Sequence, residues 1–120
     1  MFEVEVVEEL NMISGRIEGD LTKEIAQRYF EEVGKKASQH GLKRVLTDLR
    51  GAYLKADERD MSNLSQELTQ LGLSSVYKRA LIVRDDVNGY KQWENYCLNA
   101  GYREIRLFID DETALKWLAE

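Results

Sequence analysis

Hydrophobic and polar positions alternate from the start of the chain: Phe2, Val4 and Val6 are separated by Glu3 and Glu5. Such alternation buries one face of an extended strand and leaves the other in water. Glu9 to Asn11 suits a short turn. Ile13, Gly15 and Ile17 then alternate with Ser14, Arg16 and Glu18, which predicts an antiparallel hairpin. The first strand would lie at or near a sheet edge, where its glutamates discourage further pairing.

The period then lengthens. Ile25, Tyr29, Val33 and Ala37 recur every four residues beside Ala26 and Phe30, which predicts a helix with one core-facing stripe. Asp20 or Thr22 can cap it, and Gly41 after His40 is a stop signal. Val45 and Leu46 mark a short buried strand within 43–49, and residues 50–60 read as a polar connection. Met61, Leu64, Leu68 and Leu71 give a second helical stripe, and residues 80–83 the next buried strand. Residues 85–101 form a helix with Val87, Tyr90, Trp93, Cys97 and Ala100 on one side. Ile105, Leu107 and Ile109 make the last strand, and Ala114, Leu115 and Leu118 the seam of a closing helix. Alternating strands and helices imply parallel crossovers. The expectation is one α/β domain over residues 1–120, with a mixed, mostly parallel five-stranded sheet and four helices.

Composition narrows the setting. A chain of 120 residues, 43% apolar and 32% charged, can bury a core and is not of the disordered type. It has no apolar run near the ~18 residues of a membrane span. The acidic N-terminus lacks the basic region of a signal peptide, so the cytoplasm is the expected location. Cys97 and His40, each the single residue of its type, cannot make an internal disulfide or a four-ligand N/S zinc site. A net charge of −5 argues against a nucleic-acid partner. No residue pattern calls for a cofactor.

Asp48-Leu-Arg-Gly51, Arg79-Ala-Leu-Ile-Val-Arg84, Glu104-Ile-Arg-Leu-Phe108 and Ala114-Leu-Lys-Trp-Leu118 occur in an order that resembles the SpoIIAA-like branch of the STAS-domain fold. The resemblance covers almost the whole chain and implies a sheet built as a strand–helix superhelix. The wider group includes anti-sigma-factor antagonists, transporter regulatory domains and relatives of lipid-carrying SEC14 domains. In antagonist members a phosphorylated serine sits in an Asp-Ser-Ser-Gly-like turn at the start of the second helix. That turn falls near Asp57-Glu-Arg-Asp60, where Glu58 and Arg59 replace the serines, so a kinase-switched antagonist is not expected. Ser62 is the nearby alternative hydroxyl, and Ser62 and Ser65 more simply cap or face a helix.

Ligands of open α/β sheets bind outside the carboxyl ends of the strands. Those ends carry Asp48 and Arg50, then Arg84, Asp85 and Asp86, then Asp110 and Asp111. The carboxylates could hold magnesium, or each doublet could cap the helix it precedes. Asp48 precedes no helix; it could bind Arg50, Arg84 or turn amides, or orient a ligand. His40 suits a general base or a helix C-terminus, and Cys97 a nucleophile or a small core residue. Tyr90, Trp93 and Tyr96 form either an exposed patch for a partner or a half-buried face packed on the preceding helix. The resulting expectation is a non-catalytic binding or regulatory module for a protein partner or a small apolar, lipid-like ligand. Asp48, Arg50, Arg84, Tyr90 and Trp93 are its candidate ligand-binding residues. A magnesium-dependent enzyme or phosphate binder using the carboxylates, and a structural homodimer formed through the first strand or the aromatic helix, are the alternatives.

Overall fold

Five strands lie in the sheet in the order in which the chain makes them. The computed structural model describes residues 1–84 and 88–120. Strands β1 (Phe2–Val7) and β2 (Met12–Leu21) form the expected antiparallel hairpin, turned by a 3₁₀ segment, Glu8–Leu10, and by Asn11 at φ 51°. Helix α1 (Lys23–His40) returns the chain to β3 (Arg44–Leu54), α2 (Glu58–Glu67) to β4 (Lys78–Ile82) and α3 (Asn88–Asn99) to β5 (Ile105–Phe108); α4 (Asp111–Ala119) closes the chain. The sheet is mixed: β1–β2 is antiparallel, and β2–β3, β3–β4 and β4–β5 are parallel.

Sequential order makes the sheet lopsided. Crossovers of one hand between successive neighbours put successive helices on the same face. Ile13, Ile17, Val45, Leu49, Leu81 and Ile105 accordingly face Ala26, Tyr29 and Val33 of α1, Met61 and Leu64 of α2, and Trp93 and Cys97 of α3 in one large core. Helix α4 follows the last strand and is free of that constraint. It covers the opposite face, where Ala114 and Leu118 pack on Met12, Leu46, Ala80 and Ile82.

Local chemistry sets the helix ends. The Thr22 hydroxyl accepts the Ile25 amide at 3.2 Å, and Gly41 (φ 65°) ends α1 in the left-handed conformation that glycine adopts without strain. Asp57 and Asp60 cap α2 reciprocally, each carboxylate accepting the other's backbone N–H. Thus the Asp57–Asp60 segment, where the resemblance would place a serine-bearing turn, is a helix cap. Beneath α1, Gly15 lets the Tyr29 ring lie directly on β2; a Cβ there would meet the Tyr29 ring and hydroxyl. The Tyr29 hydroxyl shares a 2.6 Å hydrogen bond with Thr47 of β3.

Several expected boundaries move. The supposed polar connection 50–60 is half strand, since β3 runs to Leu54, and α2 begins at Glu58, earlier than its apolar stripe suggests. Ile109 lies beyond β5 and is 64% exposed, because the chain turns there into the α4 cap. Ala100 follows the end of α3 and is exposed. Asp85, Asp86 and Val87 lie outside the described residues. No helix among the described residues is long and apolar enough to cross a membrane.

Candidate functional site

The sheet divides at the carboxyl ends of its middle strands. The β3–β4 ladder ends at Asp48 opposite Ile82, whereas β2 and β3 stay paired as far as Leu21 opposite Leu54. Val83, the next residue, is held on the other side, its amide donating to the Phe108 carbonyl at 2.8 Å. A register shift accompanies the division. Between Arg16 opposite Asp48 and Glu18 opposite Gly51, β2 advances two residues and β3 three. The extra residue acts as a bulge, which bends a strand and re-aims its side chains. Val45, Thr47 and Leu49 face the large core by simple alternation, but beyond the shift it is Ala52 and Leu54 that do so.

Asp48 holds this irregularity together. Its Oδ1 accepts the Arg50 backbone N–H and Nε–H, both at 3.0 Å, and its Oδ2 accepts Arg50 Nη2 at 3.0 Å. Arg50 Nη2 also donates to Asp111 Oδ1 at 3.1 Å, tying the shift to the start of α4. Partial burial acts to raise the Asp48 carboxyl, but the Arg50 hydrogen bonds and the charges of Arg50 and Arg16 outweigh it and hold the group below its usual range. Of the uses open to Asp48 in the sequence, the geometry shows an ion pair and turn amide within its own strand.

An open cleft of about 920 Å³ occupies the division between β3 and β4. Arg84 reaches across it. Its Nη2 donates to the Ala52 carbonyl at 3.1 Å, and its guanidinium lies 5.4 Å from the centre of the Tyr53 ring. Tyr53 is 57% exposed and Ile109 is 64% exposed on the rim. Lys55, just beyond β3, and Gly89, in the first turn of α3, also line it. Below lies a smaller, almost wholly apolar cavity of about 60 Å³, bounded by Phe30, Met61 and Trp93 among others. Leu49, Leu54 and Tyr90 line both spaces, so the two adjoin.

The candidate residues separate accordingly. Arg50, Arg84 and Tyr90 converge on the cleft and Trp93 on the cavity beneath, while Asp48 serves the site indirectly by orienting Arg50. An exposed aromatic patch on α3 is not found. Tyr90 and Trp93 are 8% and 6% exposed, and Trp93 stacks on Phe30 with centroids 5.8 Å apart and planes 15° from parallel. The cause is the crossover geometry, which lays α3 against its neighbours on the crowded face. Ser62 sits within α2, its carbonyl accepting the Ser65 hydroxyl at 2.7 Å. His40 is the exposed last residue of α1. Cys97 is fully buried; burial raises its thiol, with nearby Arg79 pulling the other way. Asp110 caps α4 through the Thr113 amide and hydroxyl, both at 2.8 Å, and those bonds hold its carboxyl below the usual range. Among the described residues no three His, Cys, Asp or Glu side chains gather to hold a metal ion.

Tyr53, Leu54, Lys55 and Ile109 belong to the site but were not singled out by the sequence pattern. Comparison with models of known protein families finds no match, and comparison with curated proteins finds none.

Proposed function

We propose that this chain is a non-catalytic binding module of SpoIIAA-like type that takes a small, partly apolar ligand at the carboxyl ends of β3 and β4. The sequential strand order, with three crossover helices on one face and α4 on the other, supports the family reading. One observation carries the binding reading: an open cleft adjoining an apolar cavity across the shared residues Leu49, Leu54 and Tyr90. Ligand sites are usually concave and mainly apolar, with a few placed polar groups, and this arrangement matches. The described carboxylates at these strand ends are already engaged, Asp48 and Asp111 with Arg50 and Asp110 with Thr113, which favours binding over a magnesium-dependent reaction.

Mass spectrometry of the protein purified under native conditions tests the reading, with Trp93 fluorescence as the second readout. A Trp117→Phe background leaves Trp93 as the single reporter. A co-purifying small molecule whose removal shifts Trp93 emission is the expected result. A preparation that carries nothing, and whose Trp93 emission is unmoved by small amphipathic compounds, contradicts it.

A further inference from the structure

We infer that the ligand of this cleft is a small amphipathic anion. A carboxylate or phosphate head is held by Arg84 and Lys55, and a short branched alkyl body passes Leu54 and Tyr90 into the cavity below. This rests on the cleft being the binding site, and it adds the ligand's charge, size and orientation.

The head group follows from the lining. Among the described residues around the cleft the charged side chains are Arg50, Lys55 and Arg84, all cations. Arg50 is engaged with Asp48 and Asp111, which leaves Arg84 and Lys55 to meet a ligand. A guanidinium has five N–H donors, and the Ala52 carbonyl takes one of them from Arg84. That bond and the Tyr53 ring also fix where the guanidinium stands, so little side-chain freedom is lost when an anion binds.

The body follows from size and polarity. The inner cavity, about 60 Å³, is well under the ~150 Å³ that accommodates benzene, so it takes a branched alkyl tip and not an aromatic ring or lipid chain. Its apolar walls would strand a charge without a partner, which leaves the head in the outer cleft.

The test is an NMR titration of the intact chain with four probes sharing one alkyl body: 3-methylbutanoate, 3-methylbutyl phosphate, 3-methylbutanamide and 3-methylbutylamine. Saturable shifts at Leu54, Arg84 and Tyr90 with either anion, at least about tenfold weaker with the amide and weaker still with the amine, are expected. Arg84→Gln and Lys55→Gln, both at exposed positions, should each weaken the anions by about tenfold and leave the amide unchanged, with a two-dimensional amide spectrum confirming that each variant is folded. Amide or amine binding in the cleft as strongly as the anions overturns the anionic assignment while the cleft remains a site. No saturable shift at the cleft from any of the four overturns both.

Discussion

Below its register shift β3 is buried on both sides, with Val45, Thr47 and Leu49 against the large core and Leu46 under α4. Above the shift the same strand keeps β2 as a neighbour but, among the described residues, loses β4, and Tyr53 stands 57% exposed over the cleft. The difference lies in what each backbone edge meets. A strand paired on both edges has its polar groups satisfied and its side chains confined to two faces. A strand released on one edge offers carbonyls to side chains, and here Ala52 receives Arg84. One extra residue therefore turns a structural strand into the wall of a site, and Asp48 and Arg50 fix the place where this happens.

Substitutions on the two halves should behave differently. The largest effect is expected at Leu49, 5% exposed, where Leu49→Ala should cost about 2–5 kcal/mol in denaturant unfolding. A cost near that of a surface change would mean that the lower half is less tightly packed than described. At the register shift, Asp48→Asn leaves Arg50 with the Asp111 carboxylate alone, and a loss of about 1 kcal/mol at neutral pH is expected for so accessible a pair. The pH dependence sharpens this. A carboxyl lowered by folding contributes above its unfolded value of about 3.9, and loses that contribution as pH falls through the folded value. The wild type should therefore lose stability more steeply in acid than the Asn variant; parallel curves would remove Asp48 from the account. The smallest effect belongs to the upper half. Tyr53→Ala should change stability by no more than about 0.5 kcal/mol while weakening ligand binding in the same preparation.

The strand itself shows what was legible in the sequence. Val45 and Leu46 marked its lower half, because a strand buried on both faces reads as a short apolar run. The upper half was hidden: the inward positions change parity between Leu49 and Ala52, and Arg50, Gly51 and Lys55 look like loop composition. Ala52 and Leu54, one step out of phase, were the signal that a bulge-tolerant template would have found. Helix stripes were legible for a related reason. Tyr29, Val33 and Ala37 meet one continuous core, so their spacing survives folding. At the candidate site, Arg50 and Arg84 came from the rule that such folds place ligands at strand ends, and Tyr90 from the aromatic spacing of the third helix; the structure sets all three around the cleft. The fate of Asp48 depended on a two-residue turn, and the burial of Trp93 on which face the crossovers crowd, neither of which a local pattern encodes.

Amide hydrogen exchange along β3, with and without 3-methylbutanoate, tests the division of the sheet most directly. Slow exchange through the lower half is expected, with fast exchange above the shift at amides that point away from β2, slowed when the carboxylate is added. Uniformly slow exchange as far as Leu54 in the free protein, unchanged by the carboxylate, would mean that β3 and β4 stay closed and that no cleft opens between them.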